Sequence, residues 1–161
     1  MQDDWNARLE SAVRSIRRHS PRPVVGCAEA DVVRLQDETG SQLPPAYAMF
    51  LKAVGKDCGD FLYGSDICLG VLDEVRRGAI GLLEDCHGPA LPDNAFVFCS
   101  HQGYQFLFFC LTEDPDPPVY YYLEGERDFR MVSASFSEWL TGAVGDFLAE
   151  LADGATPSVI G

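Results

Sequence analysis

Three short apolar runs, FVFCS, QFLFFCL and PVYYYLE, follow one another between residues 96 and 124, separated only by His101-Gln102-Gly103 and by the acid- and proline-rich 113–117. Runs of this length, rich in Phe, Val and Tyr and bounded by turn residues, predict neighbouring strands of a meander. The rest of the apolar pattern is mostly helical. Trp5, Leu9, Val13 and Ile16 lie at spacings of four, four and three, behind Asp3 or Asp4 as a cap, and Pro21 and Pro23 stop that helix. Arg14, Arg17, Arg18 and His19 fall in its last turn, where cations suit the negative end of the helix dipole.

A second helix is predicted over 28–39, with Val32 and Leu35 inward and Gly40 as a left-handed stop. Pro44 and Pro45 open a third, in which Tyr47, Phe50, Leu51 and Val54 share a face and Gly55 ends the run in the left-handed conformation. A loop over 56–63 leads into an extended piece at 61–63, and 67–72 reads as a further strand. Asp73 and Glu74 then start a helix with the stripe Val75, Ala79, Leu82 and Leu83, broken by His87-Gly88-Pro89. After the meander, 129–132 adds a short strand. Ser135 and Glu138 match a capping box before a closing helix with Phe136, Trp139, Leu140, Ala143, Phe147, Leu148 and Leu151 at helical spacing.

The fold class this predicts is α+β: an antiparallel sheet of about five or six strands, helices packed mainly on one side, and Trp139 and Phe147 in the core. At 161 residues the chain is sized for one domain over 1–152. Residues 153–161 are small, polar and proline-broken, and are expected to form a flexible tail.

Composition narrows the function classes. The formal net charge is −13, and it is uneven: 1–40 hold seven acids against six bases, and 41–161 hold eighteen against six. Such a field disfavours nucleic acid and anionic membranes and favours basic partners. The acidic start and the short apolar runs predict a cytoplasmic chain with neither export signal nor membrane span. Its six cysteines are scattered without a C-x-x-C pair, which reads as reduced thiols rather than a disulfide framework. Cys86-His87 and Cys99 with His101 lack the ligand loops of a zinc site, and the acids over 57–66 lack the dense ligand pattern of a calcium loop. No nucleophile elbow or phosphate-cradling glycine loop occurs. Neither a metal, a cofactor nor an enzyme activity is expected.

The order of these elements, with the motif carried by Leu43, Pro44, Tyr47, Phe50 and Leu51, Gly55 behind it, and Ser135, Phe136, Trp139 and Leu140 near the end, resembles the SUKH superfamily over roughly residues 26–150. That group includes fungal cell-wall assembly regulators and bacterial immunity proteins. The resemblance implies an intracellular binding module, an immunity protein that neutralises a cognate toxin domain, such as a basic nuclease or nucleic-acid-modifying enzyme. Its alternative is a regulatory or scaffold domain without a toxin partner. In the immunity reading, charge and loop placement nominate Asp57, Asp60, Asp66, Asp114 and Asp116 as the partner-binding acids, because loops present side chains without disturbing the core. The partner is then a basic protein domain, not nucleic acid or a membrane.

Overall fold

The computed structural model describes residues 4–154. Five helices, α1 (Trp5–His19), α2 (Glu29–Thr39), α3 (Pro45–Val54), α4 (Leu72–Asp85) and α5 (Phe136–Asp153), accompany five strands. These are β1 (Ser65–Asp66), β2 (Ala95–His101), β3 (Gln105–Cys110), β4 (Val119–Leu123) and β5 (Arg130–Ser133). The strands form one antiparallel sheet in chain order, so the predicted meander is its centre. Val97↔Phe108 and Leu107↔Tyr121 set its register, with irregularities after Val97 and Val119.

Strand alternation sends two sets of aromatics to two faces. Phe96, Phe98, Leu107, Phe109, Val119 and Tyr121 join the buried residues of α1, α2, α3 and α5 in the main core. Val97, Phe106, Phe108 and Tyr122 face α4, through Val75, Ala79 and Leu83. Four helices thus share one side of the sheet and α4 covers the other. Double coverage explains why β2 and β3 read as continuous apolar runs: neither face is left for polar side chains.

Capping follows local chemistry. Asp4 accepts from the Ala7 amide at 3.1 Å and starts α1, Ser135 accepts from the Glu138 amide at 3.2 Å and starts α5, and Gly40 ends α2 at φ 70°. Trp139 and Phe147 are core residues; the Trp139 ring meets Phe98 edge-on at 5.0 Å. The Arg17 guanidinium donates to the Ala53 carbonyl at the end of α3, where helix carbonyls lack intrahelical partners.

The structure corrects four expectations. Residues 61–63 are not extended: Leu62 takes φ 52° and lies in a turn, because both Phe61 and Leu62 are drawn into the core. The predicted strand at 67–72 is displaced to Ser65–Asp66, and Leu69–Val71 is instead a 3-10 turn leading into α4. Gly55 is right-handed, φ −74°; a β-carbon there would sit 2.6 Å from Leu51 Cα, so close approach is what requires glycine. Leu151 is exposed. Of the expected tail, Asp153 closes α5 and Gly154 is its left-handed cap, while 155–161 lie outside the described residues. Among the described residues no helix is long and apolar enough to cross a membrane.

Candidate acidic docking site

The five nominated acids separate into two places. Asp57, Asp60 and Asp66 belong to the segment after α3, whereas Asp114 and Asp116 belong to the β3–β4 loop. The first segment is anchored at the C-terminal end of α1, where the Asp60 amide donates to Ser20 Oγ at 2.9 Å. The second is anchored near the N-terminal end, through Arg8. Ser20 follows Arg8 by twelve positions, nearly all of them helix, a separation of roughly 18 Å at 1.5 Å per residue. The acids do not form one patch.

Asp116 is not a surface residue at all. It is 8% exposed, and its carboxylate accepts from the Ser137 amide at 2.8 Å and the Ser137 hydroxyl at 2.6 Å. Arg8 donates to the same hydroxyl at 3.1 Å and approaches Asp116 at 3.8 Å. The expectation that Asp116 is presented to a partner is therefore withdrawn: its charge serves the first turn of α5, whose amide groups need acceptors. Asp114 is exposed, and it accepts from the Asp116 amide at 2.9 Å to shape the loop.

The segment after α3 is a built surface. Val25 donates to the Asp57 carbonyl at 2.8 Å, and Asp57 Oδ1 accepts from the Gly59 amide at 2.9 Å. Gly59 has φ 63°, and a β-carbon on it would lie 2.2 Å from Ser20 Oγ, so the turn and the packing both demand glycine. Arg22 lies across the segment. Its Nε donates to Asp60 Oδ1 at 2.6 Å, its amide to Asp60 Oδ2 at 3.2 Å, and its guanidinium sits 5.4 Å from the centre of the Tyr63 ring. Phe61 drops into the core, edge-on to Phe147 at 5.7 Å, while Tyr63 turns outward and is 54% exposed. Arg22, Asp57, Cys58, Tyr63, Asp66 and Cys68 line a groove of about 440 Å³.

The arrangement is suited to contact with a cationic surface. It offers two exposed carboxylates, Asp57 and Asp66, a third half-neutralised by Arg22, and an amphipathic aromatic between them. His101, beside this segment, is buried and bonded through Nδ1 to Ser65 Oγ at 2.9 Å. Among the described residues no group of three or more His, Cys, Asp or Glu side chains is placed to hold a metal ion. Sequence reasoning missed Tyr63 and Arg22. An extended 61–63 would put Tyr63 on the same face as Phe61, and no local pattern marks Arg22, which stands between Pro21 and Pro23.

A family model, that of the SMI1 / KNR4 family (SUKH-1), matches residues 26–142. The matched span holds the segment over 57–68 but not α1 or Arg22. Its landmarks Leu43, Tyr47, Phe50, Leu51, Phe136, Trp139 and Leu140 are all buried, so they are fold determinants and not surface contacts. No match is found among curated proteins.

Proposed function

Because the chain belongs to the SMI1 / KNR4 family (SUKH-1), we propose that it is an immunity protein: a binding module, not an enzyme, that neutralises a cognate toxin domain by direct contact in the cytoplasm. The observation that carries this reading beyond the family is the surface formed by Asp57, Tyr63 and Asp66. Exposed acids there flank an exposed tyrosine on a segment held rigid from below by Phe61, Leu62 and the Arg22–Asp60 pair. Interface energy concentrates on rigid aromatics, and complementary charge accelerates encounter. A basic cleft that ordinarily receives phosphates is the complementary chemistry, and carboxylates occupying it would exclude substrate. Asp114, at the other end of α1, is at most a peripheral contributor.

The test is co-production of this protein with the toxin domain of a reading frame beside its gene. Growth restored by the parent protein, and restored less by a variant carrying Asp57→Lys and Tyr63→Ala, supports the reading. Growth unaffected by the parent argues for the regulatory or scaffold alternative.

A further inference from the structure

The floor of the docking groove holds two sulfur atoms. Cys58, just after α3, is buried, and Cys68, just after β1, is partly exposed and lines the groove. Their Sγ atoms are 3.8 Å apart, and the segment between them carries Asp60, Tyr63 and Asp66. Cys58 Sγ donates to the Val54 carbonyl oxygen at 3.2 Å and accepts from Cys68 Sγ; once Cys68 ionises, the Cys58 proton is the one left to bridge the two sulfurs. Sequence alone showed no such pair, because the cysteines are ten positions apart and the turn that folds one onto the other depends on Leu62 at positive φ.

From this geometry we propose that Cys58 and Cys68 are a peroxide-sensitive dithiol, oxidised to an intramolecular disulfide that staples the docking segment at its base. The inference rests on the placement of the two thiols and not on the identity of any partner. Cys68 is the attacking group. The hydrogen bond with Cys58 pulls its thiol down to about 7, and this outweighs its burial and the nearby charges of Asp57 and Asp66, which push the other way. Cys58 is displaced upward by the same hydrogen bond and by burial, which suits a resolving thiol that keeps its proton until it reacts.

The Cys68 thiolate attacks one oxygen of hydrogen peroxide; the O–O bond breaks, hydroxide leaves, and a sulfenic acid forms on Cys68. Cys58 sulfur then attacks the sulfenic sulfur, the S–O bond breaks, and the Cys58 proton leaves with that oxygen as water. Two thiols and one peroxide give one disulfide and two waters. The sulfurs must approach by a little under 2 Å to reach the covalent distance of about 2.05 Å, a movement within side-chain rotation. Of the other cysteines, Cys27, Cys99 and Cys110 are poorer candidates: Cys99 is fully buried, and burial pushes all three thiols up.

The experiment treats the reduced, full-length protein with hydrogen peroxide, blocks residual thiols with an alkylating agent, and maps the cysteines by peptide mass spectrometry. The expected result is a Cys58–Cys68 linked peptide as the dominant product, lighter by two hydrogens and restored by reductant, forming faster as pH rises through 7. A folded Cys58→Ser variant should accumulate a Cys68 sulfenic acid that dimedone captures. Oxidation that falls first on Cys86 or Cys110, or a parent protein that yields no 58–68 linkage, overturns the proposal. The parent peptide map decides the matter even if the variant does not fold.

Discussion

Asp116 gives both carboxylate oxygens to one residue, Ser137, accepting its amide at 2.8 Å and its hydroxyl at 2.6 Å. With Arg8 donating to that same hydroxyl, three distant parts of the chain meet: the β3–β4 loop, the first turn of α5 and the first half of α1. Asp116→Ala leaves a buried amide and a buried hydroxyl of Ser137 short of an acceptor. It should cost about 2 to 3 kcal/mol, the scale of charge-assisted hydrogen bonds lost from a buried site. Urea unfolding measures this; Asp66→Ala, at an exposed edge position, is the control and should stay within about 0.5 kcal/mol of the parent.

Trp139 packs edge-on to Phe98 and against Phe136. Trp139→Ala should therefore cost about 3 to 5 kcal/mol, as for other large buried aromatics. A denaturation midpoint close to that of the parent would mean that the indole is not a core group.

Tyr47 makes the opposite case. Its ring is fully buried among Phe96, Phe98, Phe109 and Phe136, yet its hydroxyl finds no hydrogen-bond partner. Tyr47→Phe should be neutral or stabilise by up to about 1 kcal/mol, since it deletes an unsatisfied polar atom and little else.

Burial also holds the Tyr47 phenol and the Cys99 thiol neutral, pushing both well up from the ordinary values of 10.0 and 9.0. Above those values the unfolded chain releases protons that the folded one retains, so stability falls as pH rises. The loss should begin near pH 9 with the buried thiols Cys58 and Cys99 and steepen near pH 10 with Tyr47, by about 1.4 kcal/mol per pH unit for each group. Denaturation midpoints measured across pH 8 to 11 check the slope, and Tyr47→Phe should lessen its second stage, leaving the smaller part due to Tyr121 and Tyr122.

Much of the fold was legible because helix caps and periodicity are local. Asp4, Gly40, Ser135 and the stripes of α1, α3 and α4 stand where their spacing put them. What local pattern could not carry was tertiary demand. Asp114 and Asp116 look alike in an acidic, proline-rich loop, but only Asp116 meets the open end of α5, and nothing nearby in sequence marks that end as its neighbour. In the docking segment, Phe61 and Leu62 both find core partners, which forces the positive φ at Leu62 and turns Tyr63 outward. The Cys58–Cys68 approach and the contact of Arg22 with Tyr63 follow from that same turn.

The most direct measurement is the association rate of the neighbouring toxin domain with immobilised protein, at low salt and at about 0.15 M, where screening falls to roughly 8 Å. Acid-steered docking on the Asp57–Tyr63–Asp66 surface predicts slower association at the higher salt. It also predicts a similar slowing in a folded Asp57→Lys, Asp66→Lys variant, and faster dissociation in Tyr63→Ala. Association that ignores both salt and these three residues would contradict it and place the interface on another face.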